Sequence, residues 1–343
     1  MLVLFALIVA ISAELDLSVK LPLHEAEKLN GQDLVEYVRR HQNLFEVEES
    51  KEADERMKYL LDPKYLVSPD EKDRKPDDDD EEPPEEFDSR ERWPECADLM
   101  NTVRDQTKCG SCWAVSAASV MTDRLCVQSR GKIKRFLSDT DILSCCGRFC
   151  GYGCHGGANI RAWKHVMRNG VCTGGPYGYK HGCRPYAFHP CGHHKDQVYY
   201  GECPSKSYET PECRKICQRG YPVTYSKDRF YAASAYFVKN DTKAIMREIM
   251  RGGPVHGAYD TYQDFRLYKG GVYEHTAGAR TGGHSIKIIG WGNQRYPNGT
   301  VVPYWLIANS WNRDWGEGGF FKMIRGKNNC RIEELVNSGT MKF

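Results

Sequence analysis

Three residues far apart in the chain, Cys112, His284 and Asn309, have the types that catalysis by a thiol requires. Cys112 opens a stretch with helical periodicity, CWAVSAASVMTDRLC. A cysteine at a helix N-terminus faces the positive end of the helix dipole, which favours the thiolate over the thiol. His284 follows two glycines at the start of a predicted strand, and Asn309 ends another. The three side chains are therefore a candidate nucleophile, proton acceptor and orienting group.

Cys109 and Cys112 also form a C-x-x-C pair, and this pair allows other chemistry. It is typical of a thiol–disulfide oxidoreductase, in which both thiols are free, or of half a zinc site. The sequence before it has no βαβ pattern, and the chain is rich in cysteine, so neither alternative suits the context. A map of free thiols tests the oxidoreductase, which requires both Cys109 and Cys112 to be free.

The elements that must position these residues differ between the two halves of the body. Apolar residues at helical spacing predict helices over Gly31–Leu61 and Cys112–Cys126. Short β-branched and aromatic runs predict strands later in the chain, at His284–Trp291, Tyr304–Asn309 and Gly319–Ile324. A helix-rich part followed by a strand-rich part predicts an α+β fold with a cleft where the two meet.

The charge is divided unevenly along the 343 residues, although the net charge is only +2. Residues 1–86 carry 11 Lys and Arg against 24 Asp and Glu, whereas residues 87–343 carry 37 against 22. We refer to residues 14–86 as the leader and to residues 87–343 as the body. The leader ends in an acidic linker, residues 70–86, which we expect to be solvated, extended and accessible to proteases. The small net charge gives no reason to expect a nucleic-acid partner.

The cysteine content and the N-terminus indicate the secretory pathway. Fifteen cysteines are typical of a disulfide framework, and the odd count leaves at least one thiol free. The apolar run Leu2–Ile11 before Ser12-Ala13 predicts a signal peptide over residues 1–13. No later run is long and apolar enough to predict a membrane span. Asn240 and Asn298 lie in glycosylation sequons.

Three segments of the body together resemble the signature regions of papain-type cysteine peptidases: CGSCW, GGHSIKIIGWG and YWLIANSWNRDWGEGGFFK. His284 and Asn309 follow Cys112 by 172 and 197 residues, more than the usual ~130–150, so an insertion is expected. The segment CGHHKDQVYYGEC, residues 191–203, resembles the disulfide-closed occluding loop of cathepsin B-like members, and HQNLFEVE resembles their propeptide. The resemblance implies a papain-like two-lobed fold, with a helical left lobe and a β-barrel-like right lobe.

The resemblance assigns catalytic roles to four residues. It makes Cys112 the nucleophile, His284 its imidazolium partner and Asn309 the orienting residue, shielded by Trp311. The side-chain amide of Gln106 and the backbone N–H of Cys112 form the oxyanion hole. An ion pair with His284 is expected to lower the pKa of the Cys112 thiol by several units.

Further residues are implied in substrate binding. They comprise the backbone-binding pair Gly156 and Gly157, preceded by His155 where the family has Asn, the wall residue Trp311, and Glu333 as an acid at the base of the S2 pocket. Such an acid admits Arg as well as large apolar groups at P2. The alternative is that Glu333 is a surface residue paired with Arg331.

His193 and His194 match the occluding-loop pair that binds a substrate's C-terminal carboxylate, which implies dipeptidyl carboxypeptidase activity. In the family, one histidine pairs with the aspartate matching Asp105, and a loop arginine pairs with the one matching Asp314. Here Val198-Tyr199-Tyr200 replaces that arginine. We therefore expect the loop to open easily and endopeptidase activity to be substantial.

The resemblance also implies a set of disulfides. They are Cys96–Cys126, Cys109–Cys154, Cys145–Cys213, Cys146–Cys150, Cys183–Cys217 and Cys191–Cys203. Cys112, Cys172 and Cys330 remain, and a bond between the last two is left open.

The function implied is that of a secreted or lysosomal cysteine-type endopeptidase, made as a zymogen inhibited by its own leader and active in acid. Its partners are protein and peptide substrates, the leader and cystatin-like inhibitors, with no nucleic acid, cofactor or metal and no membrane once the signal is removed. The third signature resembles gut enzymes of blood-feeding helminths, which suggests haemoglobin as substrate and a gut lumen as destination. The alternative is a binding protein with an inactive peptidase fold, which failure of an epoxide inhibitor to label Cys112 would support.

Overall fold

The computed structural model describes residues 16–77 and 79–343, so the predicted signal peptide, residues 1–13, lies outside the described residues. Helices dominate the first half of the body and strands the second, which confirms the predicted α+β class. The helices are α1 Leu23–Ala26, α2 Gly31–His41, α3 Lys51–Arg56, α4 Ser89–Arg92, α5 Ala97–Met100, α6 Cys112–Gln128, α7 Asp139–Cys145, α8 Asn159–Asn169 and α9 Thr242–Gly252. The strands are β1 Phe45–Val47, β2 Arg74–Lys75, β3 Phe87–Asp88, β4 Tyr236–Val238, β5 Val255–Tyr262, β6 Tyr268–Tyr273, β7 Arg280–Arg295, β8 Val301–Ala308, β9 Phe320–Ile324 and β10 Asn337–Ser338.

Helix α6 is the central helix of the helical lobe, and Cys112 is its first residue. Every residue from Cys112 to Val127 is buried, because the helix packs against α7 and α8 on one side and against β7 on the other. Small residues such as Ala114, Ala117 and Ala118 permit this close packing on all sides. The buried helix therefore holds Cys112 in a fixed position at the junction of the two lobes.

A ten-stranded sheet forms the second lobe, in the order β1-β6-β9-β8-β7-β5-β10-β4-β2, with β3 added beside β7. The long strand β7 pairs antiparallel with β5 and with β8. It is buried without interruption from Gly283 to Gly292, since side chains cover both of its faces. His284 lies near the start of β7, and Asn309 follows the end of β8. The pairing of these two strands brings both residues to one end of the sheet.

The expected single helix over Gly31–Leu61 is wrong. Helix α2 ends at His41, β1 pairs with β6, and α3 follows before a short 3₁₀ turn over Met57–Tyr59. The Gln42 side chain accepts hydrogen bonds from the backbone N–H groups of Leu44 and Phe45, at 3.0 Å each. Tertiary pairing with the sheet thus overrides the helical periodicity of the leader.

The acidic linker is mostly exposed but is not a free solvated chain. Residues 71–73 form a 3₁₀ turn and β2 pairs in parallel with β4. The Arg74 guanidinium donates to the carbonyls of Val238 and Glu334, at 3.0 Å each. The expectation of a fully solvated segment is therefore corrected, because the body supplies partners for it.

Six disulfides cross-link the body, and they join the same pairs that the resemblance implies: Cys96–Cys126, Cys109–Cys154, Cys145–Cys213, Cys146–Cys150, Cys183–Cys217 and Cys191–Cys203. Cys112, Cys172 and Cys330 are free thiols. Cys172 lies beside Asp141 and Cys330 beside Asp264, so the bond between them that the sequence left open does not form.

In the part of the chain that the structure describes, the helices are too short or too polar to cross a bilayer. Asn240 and Asn298, the two sequon asparagines, are both exposed. Their glycosylation stays a prediction.

Candidate active site

The structure brings Cys112, His284 and Asn309 together where the lobes meet. Ser116, one turn after Cys112 in α6, donates its hydroxyl to the carbonyl of Ser285, the neighbour of His284, at 2.9 Å. Nε2 of His284 is 2.7 Å from Oδ1 of Asn309, and the other ring nitrogen is buried without a hydrogen-bond partner among the described residues. The amide oxygen of Asn309 therefore fixes the imidazole with Nε2 as donor and leaves Nδ1 for a proton exchanged with a thiol.

Trp311 packs beside the imidazole, with the two ring centres 5.1 Å apart. It is fully buried and also contacts Phe265 and Trp315. These aromatic rings exclude water from the hydrogen bond between His284 and Asn309. Contact of Trp311 with a substrate stays a prediction.

The side chains of Cys112 and His284 are both buried, and burial shifts both pKa values in the direction that opposes the expected thiolate–imidazolium pair. Burial raises the pKa of the Cys112 thiol to about 12. Burial also lowers the pKa of His284 to about 4, although its hydrogen bond to Asn309 opposes the shift. Desolvation disfavours each charged form, and the leader residues Leu61 and Leu66 pack in the same apolar cluster as Cys112. The charged pair stays a prediction for the chain without its leader.

The leader places a backbone carbonyl against the side chain of Gln106. Nε2 of Gln106 donates to the carbonyl oxygen of Tyr59 at 3.1 Å and also to that of Cys109 at 3.1 Å. Ser310 orients the amide by donating its hydroxyl to Oε1 of Gln106 at 2.7 Å. Gln106 thus presents a fixed, buried donor toward a carbonyl oxygen in the cleft.

The following leader residues run through the cleft between the lobes. Leu61 exchanges two backbone hydrogen bonds with Gly283, of 2.7 and 2.9 Å. Tyr65 lies over Gly156, where a Cβ would come within 2.8 Å of its ring. Leu66 lies over Gly283 and leaves no space for a Cβ there. The cleft therefore accepts an extended chain at positions where glycines allow close backbone approach. A Cβ on the second predicted glycine, Gly157, would instead overlap the ring of Trp113.

An apolar pocket of the cleft holds leader side chains, and Glu333 is not at its base. Leu61 and Leu66 pack in one apolar cluster with Ala258 and Leu335. Leu335 was not predicted as a pocket residue, because nothing in the local sequence marks it except its position two residues after Glu333.

The carboxylate of Glu333 is used elsewhere. It accepts hydrogen bonds from the Trp305 indole at 3.0 Å and from the backbone N–H groups of Gly326, at 2.5 Å, and Asn328, at 2.8 Å. Its assignment as a pocket acid is corrected, because these donors hold it inside the second lobe. The alternative pairing with Arg331 is also wrong, since Arg331 pairs with Glu334 at 2.9 Å.

The occluding loop, residues 191–203, is attached to the body through several contacts. Nδ1 of His194 is 2.9 Å from the Asp314 carboxylate. The Gln197 side chain donates to Asn312 at 2.7 Å, and Arg313 donates to the carbonyl of Asp196 at 2.9 Å. The expectation that Asp314 lacks a loop partner is therefore corrected, because a histidine takes the place of the absent arginine. The loop's other histidine, His193, is exposed and stacks on Tyr199 with ring centres 4.4 Å apart.

Asp105 pairs closely with the leader and more distantly with the loop's His194. The Arg56 guanidinium contacts both carboxylate oxygens of Asp105, at 2.5 and 3.2 Å, and both side chains are more than nine-tenths buried. His194 Nε2 is 3.7 Å from the same carboxylate. Burial raises the pKa of Asp105, but the charge of Arg56 outweighs it and the net pKa is lowered. Sequence analysis missed Arg56 because its partner is 49 residues away.

Among residues 16–77 and 79–343, two groups of side chains could present ligands to a metal, and neither suits one. Glu52, His194 and Asp314 lie close together, but Nδ1 of His194 is hydrogen-bonded to Asp314 and Arg56 lies 3.1 Å from Glu52. Cys172, Cys183 and Asp228 form the second group, in which Cys183 is bonded to Cys217.

Comparisons with known proteins agree with this geometry. A family model described as papain family cysteine protease matches residues 83–340. The chain is 45% identical to cathepsin B-like cysteine proteinase 1 of Ostertagia ostertagi over 94% of its own length and 93% of the relative's. It is 44% identical to the gut-specific cysteine proteinase of Caenorhabditis elegans, over 92% of each chain.

Among solved structures, the chain is similar to proCathepsin B S9 from Trypanosoma congolense. The TM-score is 0.67 at 31% identity, over 85% of this chain and 89% of that one. That protein is a procathepsin, so the likeness extends to a chain that carries its own propeptide.

Proposed function

Because the chain belongs to the papain family of cysteine proteases, as a cathepsin B-like cysteine proteinase, we propose that it is a zymogen in which residues 14–86 block the cleft and the body, residues 87–343, is the peptidase. The observation that carries this proposal is the hydrogen bond from the Gln106 side chain to the Tyr59 carbonyl. A leader carbonyl occupies the donor that would otherwise stabilise the oxyanion of a substrate.

In the proposed mechanism the Cys112 sulfur attacks the carbonyl carbon of the scissile peptide bond. His284 holds the proton from the thiol, and Asn309 keeps the imidazole oriented through the 2.7 Å contact at Nε2. Negative charge develops on the carbonyl oxygen, where Gln106 and the backbone N–H of Cys112 donate hydrogen bonds. Fixed donors in a site without water stabilise this charge strongly.

The second half of the reaction reverses these roles. His284 gives its proton to the leaving amine, which departs and leaves a thioester on Cys112. A water molecule then attacks the thioester carbonyl while His284 accepts its proton. The C–S bond breaks, the carboxylic acid product leaves, and the thiol–imidazole pair is restored.

We further propose that the leader resists cleavage because its polarity in the cleft is reversed. Along the chain, Arg56 lies beside the occluding loop, Tyr59 at Gln106, and Leu66 at the apolar pocket. If His193 and His194 bind the C-terminal carboxylate of a substrate, the substrate must run the other way. The leader's carbonyl carbons are then presented to Cys112 with the opposite chain direction.

The apolar pocket supports a preference for large apolar groups at P2. Leu335 and Ala258 belong to the same apolar cluster as the leader's Leu61 and Leu66, and a basic P2 group would find no carboxylate among these residues. We therefore propose that Phe-Arg substrates are cleaved in preference to Arg-Arg substrates.

Dipeptidyl carboxypeptidase activity is proposed from the loop histidines. His193 is exposed beside the cleft and His194 is held by Asp314. The hydrogen bond that His194 donates to the Asp314 carboxylate raises the pKa of His194, opposed by partial burial. A protonated histidine can bind a carboxylate, so this activity is expected to be greatest in acid. The loop contacts also support a smaller share of endopeptidase activity than the sequence alone suggested.

Activation in acid is proposed from the charge of the leader and the body. Protonation of leader carboxylates weakens their attraction to the basic body. The Asp105–Arg56 pair takes less part, because the charge of Arg56 holds the pKa of Asp105 below its usual range. The carboxylates whose protonation weakens the attraction are therefore mainly Asp and Glu side chains of the leader.

The place of action is proposed to be a lysosome or a gut lumen, reached through the secretory pathway, with haemoglobin or another dietary protein as substrate. The gut-specific name of the Caenorhabditis elegans relative supports a digestive role. The proposed partners also include cystatin-like inhibitors, which would compete for the same cleft.

The test uses the full chain before and after acid processing. Hydrolysis of a fluorogenic Phe-Arg peptide is expected only after loss of residues 14–86, and a thiol-directed epoxide should abolish it. Cys112→Ser is the matched variant, since it keeps the size of the side chain and removes the thiol. Equal hydrolysis by the unprocessed chain would contradict the inhibitory role of the leader.

A further inference from the structure

Helix α9 carries three basic residues at a spacing of four: Lys243, Arg247 and Arg251. Residues four apart lie on one face of a helix. Ile245 and Ile249, on the other side, are buried in the core. We call the three cations the basic stripe. The catalytic mechanism does not use it.

The acidic linker lies across this basic stripe. Asp77 pairs with Arg247 at 2.9 Å from Nε, and both side chains are about nine-tenths buried. Glu82 pairs with Lys243 at 2.8 Å, and Asp79 pairs with Arg251. Nη1 of Arg247 also donates to the carbonyl of Glu81 at 3.1 Å. An acidic peptide is thus seen seated on the basic stripe, through its side chains and its backbone.

Contacts on both sides of the basic stripe hold the linker in register. Before the acidic run, Lys75 pairs with Glu248 at 3.1 Å. After it, the Trp291 indole donates to the carbonyl of Pro84 at 3.0 Å. The body therefore provides a built surface for an extended chain.

The basic stripe lies beyond the end of the cleft that contains the apolar pocket. The leader leaves the apolar pocket at Leu66, and Arg74 is bonded to the carbonyl of Glu334, the neighbour of pocket residue Leu335. The linker then reaches Arg247 through Asp77. This end is opposite to the occluding loop, so the N-terminal part of a substrate would leave the cleft here. That direction depends on the proposed role of His193 and His194.

We propose that, once residues 14–86 are removed, the basic stripe becomes an exosite for acidic segments on the N-terminal side of the scissile bond in protein substrates. This inference rests on the proposed function. Removal of the linker leaves Lys243, Arg247 and Arg251 without the carboxylates that they bind, and an acidic segment of a substrate replaces those carboxylates. The exosite lowers KM rather than raising kcat, because it binds substrate and transition state equally.

The test compares internally quenched peptides with one Phe-Arg cleavage core on the processed enzyme. The first carries Asp-Asp-Asp-Asp-Glu-Glu on its N-terminal side, joined by a flexible Gly/Ser spacer of about ten residues. The second carries the same acids on its C-terminal side, and the third carries Asn and Gln instead. At low salt we expect a KM about tenfold lower for the first peptide, since three pairs of modest strength combine. The difference should shrink at 0.5 M salt.

Two variants show where the preference arises. K243Q/R247Q/R251Q should abolish it, whereas K132Q/K134Q/R135Q removes the same charge from an exposed segment elsewhere and should retain it. If the first variant does not fold, a free acidic peptide added to the unmodified enzyme serves instead. It should inhibit cleavage of the N-terminally acidic peptide and leave the neutral one unaffected.

Equal KM values for the three peptides on the unmodified enzyme would overturn the exosite and leave the peptidase intact. An equal loss of preference in both triple variants would also overturn it, since the effect would then be general attraction. Binding of a sulfated polysaccharide to the basic stripe without any preference for the acidic peptide would do the same. Absence of hydrolysis of the neutral peptide would instead refute the proposed function, and the exosite with it.

Discussion

Arg56 of the leader and Asp105 of the body form a buried, two-point ion pair beside the occluding loop. Arg56 also contacts Glu52 at 3.1 Å, one helical turn earlier in α3. His194 lies 3.7 Å from the same Asp105 carboxylate, so the leader's guanidinium holds a position close to the loop's imidazole. This pair joins the leader to the body at the loop end of the cleft.

Removal of this guanidinium is expected to loosen the leader. In Arg56→Ala, Asp105 stays buried without its partner, which costs about 3–5 kcal/mol. The intact zymogen should then expose Cys112 about 100- to 4000-fold more often, because 1.4 kcal/mol corresponds to a tenfold change. The measurement is the rate at which an epoxide inhibitor labels Cys112 in the unprocessed chain.

The matched control is Arg39→Ala, which removes a half-exposed pair with Glu49 in the same leader. Exposed pairs contribute about 0–1 kcal/mol, so labelling should change by less than about fivefold. Labelling of Arg56→Ala at the rate of the unmodified zymogen would contradict the role given to the buried pair.

The oxyanion role of Gln106 predicts a loss of turnover rather than of binding. In the processed enzyme, Gln106→Ala should lower kcat by about 10²–10³ with little change in KM. Ser310→Ala removes only the hydroxyl that orients the amide and should have a smaller effect. Steady-state hydrolysis of the Phe-Arg peptide measures both. A kcat for Gln106→Ala within about threefold of the unmodified enzyme would exclude this role.

The residues of the apolar pocket predict which substitution allows cleavage of substrates that carry a basic P2 group. Leu335→Glu should raise the ratio of Arg-Arg to Phe-Arg hydrolysis by about tenfold or more, because it places a carboxylate beside Ala258 in the apolar pocket. Glu333→Gln should leave the ratio unchanged and lower the free energy of unfolding by about 1–3 kcal/mol, since buried donors lose their acceptor. If Glu333→Gln changes the ratio and Leu335→Glu does not, Glu333 is the acid of the S2 pocket after all.

The loop tie predicts a pH dependence with a definite sign. Asp314 raises the pKa of His194 above 6.5. The stabilisation of the loop by the His194–Asp314 pair is therefore complete below about pH 6.5. It is lost as the pH rises through the pKa of His194 in the folded chain. Dipeptide release from a peptide with a free C-terminus should fall over that range relative to cleavage of an amidated peptide.

Asp314→Asn should move this fall to lower pH, because it removes the hydrogen bond that raises the pKa. Asp196→Asn is the matched control, since Asp196 is exposed and contributes its backbone carbonyl to Arg313. Identical pH profiles for Asp314→Asn and the unmodified enzyme would argue against the tie.

The three residues of the candidate active site could be predicted because short local patterns mark them. Cys112 begins a buried helix, and His284 and Asn309 stand at the ends of paired strands. Burial and strand propensity are encoded within a few residues of each site, so the cleft could be located from the sequence.

Other features could not be predicted because they depend on partners far away in the chain. The break in the expected helix over Gly31–Leu61 arises where β1 pairs with β6, more than 200 residues later. Hydrogen bonds from the Trp305 indole and from the backbone N–H of Gly326 hold the carboxylate of Glu333 inside the second lobe. The raised pKa of Cys112 follows from burial in an apolar cluster to which the leader contributes Leu61 and Leu66. In each case a tertiary contact overrode a correct local pattern.

The most direct measurement is epoxide labelling of Cys112, followed by mass spectrometry, in the intact and in the processed chain at pH 5. We expect rapid labelling and parallel loss of Phe-Arg hydrolysis in the processed chain, no labelling of the intact zymogen on the same timescale, and no hydrolysis by Cys112→Ser. Equally fast labelling of the intact zymogen, or hydrolysis that persists in Cys112→Ser, would contradict a leader-masked cysteine peptidase.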